Sequence, residues 1–126
     1  MYMLLSVAAG GAVGAVARYL LSEQVQHLVG GNFPRGTLAV NVLGCGLLGI
    51  IVGLGSHIWS PAPELRVFLT VGLLGAMTTF SAFSLEILQM VEGGQWFNAA
   101  LYIVLSVSLS VGAVMIAIFS IRSLVS

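Results

Sequence analysis

Charged residues are scarce in this chain of 126 residues: four are basic, four are acidic, and together they make up 6% of the sequence. About a quarter of the residues in a soluble domain are charged, so this chain has too few charged residues to cover a water-facing surface. It has no basic run and its formal net charge is +0 at pH 7, which argues against nucleic acid as a partner. The one cysteine, Cys45, cannot form a disulfide within the chain.

Hydrophobic residues make up 59% of the chain and occur in long stretches. A membrane helix needs about 20 predominantly apolar residues, and four windows satisfy this requirement: residues 3–21, 36–58, 64–91 and 96–121. Segments rich in glycine or proline separate them. We therefore predict an all-α membrane protein whose four transmembrane helices form a single domain over residues 1–126.

The flanking arginines divide evenly between the two membrane sides. Arg66 and Arg122 fall near the side of the N-terminus, and Arg18 and Arg35 fall near the opposite side. Because an excess of positive charge sets orientation, an even division predicts insertion in both orientations. Oppositely inserted copies can pair about a two-fold axis in the membrane plane, as inverted repeats do within transporters. We expect an antiparallel, dual-topology homodimer.

The third apolar window is too long for one straight helix, and its centre contains weak helix formers. Gly72, Gly75, Thr78 and Thr79 lie there, and glycine and threonine both have low helix propensity. We predict that this helix is broken near its centre, with Thr79 capping the second half. Broken helices occur at membrane depth where the freed backbone lines a cavity or is buried in protein, and freed carbonyls there can hold a cation.

Several uncharged polar residues lie at membrane depth, where they are costly unless they face a partner or a cavity. Asn41 admits two interpretations, an interhelical hydrogen bond or a donor that lines a pore. Tyr102, Ser106 and Ser110 recur at every fourth position and therefore share one helix face. This spacing favours a polar track, although serines are common in membrane helices.

Two phenylalanines, Phe80 and Phe83, follow the predicted break. An aromatic ring has a positive edge, which can favour an anion. The alternative interpretation is ordinary hydrophobic packing. Ring edges, hydroxyls and amide hydrogens together would suit a small anion that sheds its water.

Three sequence blocks carry a family resemblance: GGAVGAVARY (residues 10–19), GTLAVNVLGCGLLG (residues 36–49) and GLLGAMTTFSAFSLE (residues 72–86). With them, the chain resembles the small microbial channels that export fluoride. The resemblance implies an antiparallel, dual-topology homodimer with two fluoride pores in the bacterial inner membrane. It also implies a central structural Na⁺ held by backbone carbonyls, here those of Gly75 and Thr78.

The resemblance further implies which side chains line the pores, and these are Asn41, Phe80, Phe83, Tyr102, Ser106 and Ser110, with Ser81 and Ser84 as weaker candidates. Arg18 matches the arginine of the first block and is expected to be structural or to lie at the pore vestibule. Glu86 is expected at a pore mouth or in an ion pair with an arginine. The expected partners are fluoride, a second copy of the chain and the lipid bilayer.

Two other functions compete with the fluoride channel. A dual-topology, proton-coupled exporter of small cationic drugs needs a carboxylate within the membrane; that family carries it in the first span, where this chain has none, so Glu86 would have to serve. A non-transporting structural subunit would tolerate changes at Asn41, Phe80 and Phe83. The sequence contains no combination of nucleophile, base and orienting residue, so we do not expect an enzyme.

Overall fold

The computed structural model describes residues 2–56 and 58–125, and all regular elements in these ranges are helical. In chain order they are α1 (Tyr2–Val29), α2 (Arg35–Gly55), α3 (Pro63–Val67), a π-helical segment (Phe68–Leu74), α4 (Gly75–Met77), α5 (Phe80–Glu92) and α6 (Trp96–Val125). Four stretches are long and apolar enough to cross a membrane: α1, α2, residues 63–92 and α6. The predicted four-helix membrane fold is confirmed.

Two helices end away from the ends of their apolar windows. The first helix continues from Leu21 to Val29, because residues 22–29 mix polar and apolar side chains but contain neither glycine nor proline. It stops at Gly30, whose φ of 73° suits a residue without a side chain. The second helix ends at Gly55 rather than Ile58, since the chain turns there and the Ile58 amide bonds back to the Leu54 carbonyl at 2.9 Å.

Arg18 lies inside α1, and its Nε donates to the Ala76 carbonyl at 3.1 Å. This bond ties the first span to the third. The division of the arginines between the two membrane sides stays a prediction.

Glycines let the helices approach one another. A side chain at Gly14 would collide with the Leu73 carbonyl, so α1 lies directly against the π-helical segment. On the opposite side of the bundle, a Cβ at Gly49 would come within 2.7 Å of the Ala117 Cβ, where α2 packs on α6. Close backbone contact through small residues is the usual basis of helix association in lipid. These glycines therefore form the packing seams between the spans.

Extended backbone separates α4 from α5. Thr78 has φ −80° and ψ 152°, and Thr79 has φ −149° and ψ 126°. The Thr79 hydroxyl accepts from the Ala82 amide at 3.1 Å, as predicted for the residue that caps the following helix. The third span thus contains two non-helical residues between its two apolar halves.

Two small buried clusters flank these extended residues. One joins α5 to α6 through Phe83, Met90, Ala99 and Tyr102. The other joins α2 to the third span through Val40, Leu74 and Met77. The outward faces of the helices carry large exposed apolar side chains, which a bilayer can accept in place of a protein core.

Candidate functional site

A cavity of about 390 Å³ opens beside the extended residues of the third span, between α2, α5 and α6. Seven residues that the sequence pattern predicted to be functional line it together: Asn41, Gly75, Thr78, Phe80, Phe83, Ser106 and Ser110. Thr79, Cys45, Val107 and Val111 complete the lining. Residues from three spans thus meet at one place, although they are separated by up to 69 positions in the sequence (110 − 41).

Asn41 holds the extended backbone in place. Its Oδ1 accepts from the Thr79 amide at 2.7 Å, and its Nδ2 donates to the Thr79 carbonyl at 3.1 Å. A carboxamide nitrogen carries two hydrogens, and within the described residues Nδ2 makes this single donation. Asn41 therefore makes the interhelical hydrogen bond of the first interpretation, and it also lines the cavity with one N–H that has no acceptor among the described residues.

Ser106 is the least satisfied polar group of the cavity wall. The residue is 6% exposed, and its Oγ has no hydrogen-bond partner among the described residues. Buried hydroxyls are nearly always hydrogen bonded, and an orphan one asks for a specific explanation. Ser110 lies one helical turn further along α6 and lines the same cavity. The α6 wall of the cavity therefore contains two serines, one of which has a fully buried hydroxyl.

Two aromatic rings form the end of the cavity nearest α5. The centroids of Phe80 and Phe83 lie 5.3 Å apart, and the rings are tilted by 50°. Phe83 is buried against Tyr102, with centroids 5.0 Å apart. Phe80 is 76% exposed, so in the single chain its ring stands at the open side of the cavity.

Tyr102 lies beyond the phenylalanines rather than on the cavity wall. The side chain is fully buried, and its hydroxyl donates to Oε1 of Glu86 at 2.9 Å. Thr37 donates to the other carboxylate oxygen, also at 2.9 Å. The Glu86 carboxylate thus has two neutral hydroxyl donors, and no arginine approaches it within the described ranges. Of the two positions expected for Glu86, a pore mouth or an ion pair with an arginine, the single chain therefore gives no example of the second among the described residues.

Sequence reasoning missed two residues of this region, Thr37 and Phe33. Thr37 precedes Asn41 by four positions and so shares its helix face, which was a usable signal. Phe33 lies in the loop before α2, and its ring meets that of Tyr102 edge-on at 5.4 Å. No periodic pattern places a loop residue, so Phe33 carried no comparable signal.

Glu86 also faces a second, smaller cavity of about 160 Å³ toward the loops that precede α2 and α6. Polar side chains line this second cavity, among them Asn32, Gln89 and Gln95. Phe83 lines the first cavity and Glu86 the second, and Tyr102 contacts both residues through its ring and its hydroxyl.

The carbonyls of Gly75 and Thr78 have lost their usual helical partners. In an uninterrupted helix these oxygens would accept from the amides of Thr79 and Ala82, four positions later. The Thr79 amide donates to Asn41 instead, and the Ala82 amide donates to the Thr79 hydroxyl. Two peptide oxygens near the centre of the span are thus available to a cation.

The two weaker candidates, Ser81 and Ser84, do not line the cavity. Ser84 donates to the Phe80 carbonyl at 2.8 Å in the preceding turn. Ser81 shares a hydrogen bond of 3.1 Å with the Thr79 hydroxyl. Arg18 does not line the cavity either, and its Nε donates to the Ala76 carbonyl in α4.

Comparison with known proteins identifies the family. The family model described as CrcB-like protein, Camphor Resistance (CrcB), matches residues 5–118. The fluoride-specific ion channel FluC of Rhodospirillum centenum (strain ATCC 51521 / SW) is 49% identical over 126 residues, which is 100% of both chains.

Shorter alignments relate the chain to Shewanella proteins that carry the same name. The fluoride-specific ion channel FluC of Shewanella sp. (strain ANA-3) is 54% identical over 108 residues, covering 84% of this chain and 85% of the relative. That of Shewanella denitrificans is 50% identical over 110 residues, covering 86% of each. Because the family model matches nearly the whole chain and a full-length relative is 49% identical, this multi-pass membrane protein belongs to the CrcB family.

Proposed function

We propose that this chain forms a fluoride-selective channel that lets F⁻ leave the cell passively. The observation that carries the proposal is the lining of the cavity, where Asn41, Ser106 and Ser110 bring neutral polar side chains from α2 and α6 together. Asn41 keeps one N–H without an acceptor among the described residues. Neutral donors without acceptors suit an anion that arrives from elsewhere.

The physical difficulty for such an ion is dehydration. Moving even a carboxylate-sized ion into a medium of low dielectric costs on the order of 20 kcal/mol, and smaller ions cost more. Several donors must replace the lost water, yet the ion must bind weakly enough to leave again. Hydroxyls, an amide hydrogen and the positive edges of Phe80 and Phe83 meet both requirements because none of them carries a full charge. The names of the relatives, fluoride-specific ion channels, agree with this choice of anion.

The arrangement of the cavity supports a homodimer. Phe80 is 76% exposed in the single chain, although it stands beside the polar groups that we assign to the ion. A second copy packed against this face would close the cavity and enclose the ring. We propose an antiparallel pair about a two-fold axis in the membrane plane, because a closed two-fold dimer then contains two equivalent pathways. The even division of the four arginines expected from the sequence is compatible with insertion in both orientations.

A sodium ion fits the freed carbonyls of Gly75 and Thr78. Hard cations prefer oxygen ligands, and the described residues bring together no group of three His, Cys, Asp or Glu that could serve instead. Two carbonyls from one chain leave an oxygen site half complete. In the antiparallel dimer, the same two carbonyls of the second copy would complete it, so we propose a central Na⁺ that stabilises the dimer.

Passive export needs no energy coupling. Hydrogen fluoride enters cells as a neutral weak acid and ionises inside. A membrane potential of about 100 mV, negative inside, favours the exit of a monovalent anion by about 2.3 kcal/mol. In the bacterial inner membrane, a selective pathway for F⁻ is therefore sufficient to lower its internal concentration.

Anion efflux from liposomes tests the proposal. Vesicles that contain the purified protein and potassium fluoride are treated with a potassium ionophore, and a fluoride electrode records release. We expect fast release of fluoride and little release of chloride from matched vesicles, and loss of fluoride release after Phe80→Ile. Release no faster than from protein-free vesicles, or equal release of both halides, would show that the chain is not a fluoride channel.

A further inference from the structure

We propose that Gln26 is a positioning residue for ion passage, and that it acts through Phe33 on the hydroxyl of Tyr102. The effect on ion passage rests on the proposed function, because it concerns the rate at which fluoride moves. The positioning of one side chain by another is a separate matter and does not depend on which ion passes.

The Gln26 side chain fastens the loop between α1 and α2. Its Nε2 donates to the carbonyls of Gly31 and Phe33, both at 3.0 Å. Its Oε1 accepts from the Gly36 amide at 3.1 Å. One carboxamide therefore satisfies three peptide groups. The extension of α1 past Leu21, which carries Gln26, is thus joined by a specific side chain both to the loop and to the first turn of α2.

The two helix ends beside this loop are packed tightly. A side chain at Gly36 would collide with the Ser22 carbonyl, so the end of α1 lies directly against the start of α2. Arg35 holds the first residue of the loop, since its Nη1 donates to the Gly30 carbonyl at 2.6 Å. Gln26 holds the part of the loop that follows. Peptide groups that lost these bonds would have to find other partners, and the loop would move to supply them.

Phe33 transmits the position of the loop to Tyr102. The two rings meet edge-on, with centroids 5.4 Å apart and an interplanar angle of 77°. This arrangement is favourable because the positive edge of one ring faces the negative face of the other. Tyr102 also contacts Phe83, with centroids 5.0 Å apart. The phenol therefore packs against two rings, and one of them comes from the loop that Gln26 fastens.

The orientation of Tyr102 decides where its hydroxyl donates. That hydroxyl bonds to Oε1 of Glu86 at 2.9 Å, and Thr37 donates to Oε2. A carboxylate repels a nearby anion, and two hydroxyl donors fix the direction in which these oxygens point. A Tyr102 ring that has lost its support from Phe33 would release one of the oxygens. We expect the freed carboxylate to slow the passage of fluoride.

The loop also reaches the second cavity directly. Asn32 and Pro34, the neighbours of Phe33 in the sequence, line that cavity together with Glu86. The loop thus contributes both a wall of the second cavity and the ring that supports Tyr102. A displacement of the loop would change the two together.

Fluoride release from liposomes measures the effect of Gln26. Gln26→Leu keeps the approximate size of the side chain and removes its three hydrogen bonds. We expect release to slow by about two- to tenfold, which is the shift that an aromatic pair can impose on a two-state population. Gln24→Leu is the matched control, because Gln24 is exposed on the same helix and its side chain makes no hydrogen bond to the described residues. It should leave the rate unchanged.

A double-mutant cycle separates positioning from a general loss of stability. In a Tyr102→Phe protein the hydroxyl that Gln26 positions is already absent. Gln26→Leu should therefore slow release by less than about twofold in that background, whereas independent effects would multiply.

Fluorine NMR of the folded protein in detergent gives a readout that needs no ion flux. Protein labelled with 3-fluorotyrosine contains three labelled residues, and Tyr102→Phe assigns the resonance of position 102. Gln26→Leu should shift or broaden this resonance, and Gln24→Leu should not. Phe33→Leu removes the ring while leaving the acceptors of Gln26 in place, so it tests the same step should Gln26→Leu fail to fold.

The outcomes are separable. The proposal is overturned by a folded Gln26→Leu protein that releases fluoride at the wild-type rate, by equal slowing with and without the Tyr102 hydroxyl, or by an unchanged Tyr102 resonance. A Tyr102→Phe protein that conducts at the wild-type rate would overturn it as well. Wild-type protein that releases no fluoride would contradict the proposed function instead, and fluorine NMR would still decide whether Gln26 positions Tyr102.

Discussion

Removal of the Ser106 hydroxyl should make the protein more stable and the channel slower. These effects have opposite signs because the hydroxyl has no partner in the described protein and is 94% buried (100 − 6). An unsatisfied buried polar group costs about 1–3 kcal/mol. Ser106→Ala removes that cost and introduces a better helix former. We expect a gain of about 1 kcal/mol, which corresponds to a rise of about 4 °C in the unfolding midpoint for a chain of this size.

The loss of fluoride conduction follows from the same hydroxyl. A hydrogen bond to a charged group contributes about 1.5–3 kcal/mol, and each 1.36 kcal/mol changes a rate about tenfold. If Ser106 donates to the dehydrated ion at the highest barrier, Ser106→Ala should slow fluoride release by about tenfold to a hundredfold. The assays are electrode-recorded release from liposomes and thermal unfolding in detergent.

Ser108→Ala is the matched control, since this serine lies on the same helix but on its exposed face. It should leave the rate unchanged and raise the midpoint less than Ser106→Ala does, because both substitutions gain helix propensity and only Ser106→Ala removes a buried hydroxyl. The reasoning would be refuted by a Ser106→Ala protein that unfolds at a lower temperature and conducts at the wild-type rate. Such a protein would show that the hydroxyl contributes to packing and does not meet the ion.

Three further perturbations test other parts of the structure. Gly49→Ala should lower the free energy of unfolding by about 1–3 kcal/mol because the new methyl group overpacks the α2–α6 contact. Gly112→Ala should leave the free energy of unfolding unchanged, since its methyl group would meet no atom of the described residues within 4 Å. Equal effects of the two substitutions would contradict the packing argument. Replacement of Na⁺ by a bulky organic cation should lower the unfolding midpoint, since a ligand present at a hundred times its dissociation constant stabilises by about 2.7 kcal/mol; an unchanged midpoint would argue against the sodium site. Glu86→Gln replaces one of the two oxygens that accept from Thr37 and Tyr102 and should lower the free energy of unfolding by about 1–3 kcal/mol. It should leave resistance to cationic drugs unchanged, and a loss of drug resistance would support the exporter instead.

Local sequence patterns predicted those features that need no tertiary information. Apolar length indicated the four spans, and low helix propensity marked the region where Thr78 and Thr79 are extended. Four-residue spacing placed Ser106 and Ser110 on one face, and both line the cavity. None of these features depends on how distant parts of the chain meet.

Features that depend on tertiary contact were less accessible. Tyr102 has the same spacing as the two serines, yet it lies beyond the cavity because its hydroxyl reaches Glu86. A helical pattern gives the face of a residue, while the neighbour across the interface decides whether that residue lines a cavity or lies behind it. The bond from Arg18 to the Ala76 carbonyl is a second example, since no spacing within α1 indicates that the third span lies beside it.

Asn41 shows why structural and functional roles converge in this protein. Two extended residues in hydrocarbon would leave amides and carbonyls unpaired, which costs several kcal/mol for each group. One carboxamide satisfies both backbone groups of Thr79 and still has an N–H to spare. A channel needs neutral hydrogen-bond donors at membrane depth. The side chains that pair with the peptide groups of the extended residues can supply them. The same side chain therefore stabilises the interruption of the third span and supplies a donor to the cavity. A substitution of Asn41 should remove both.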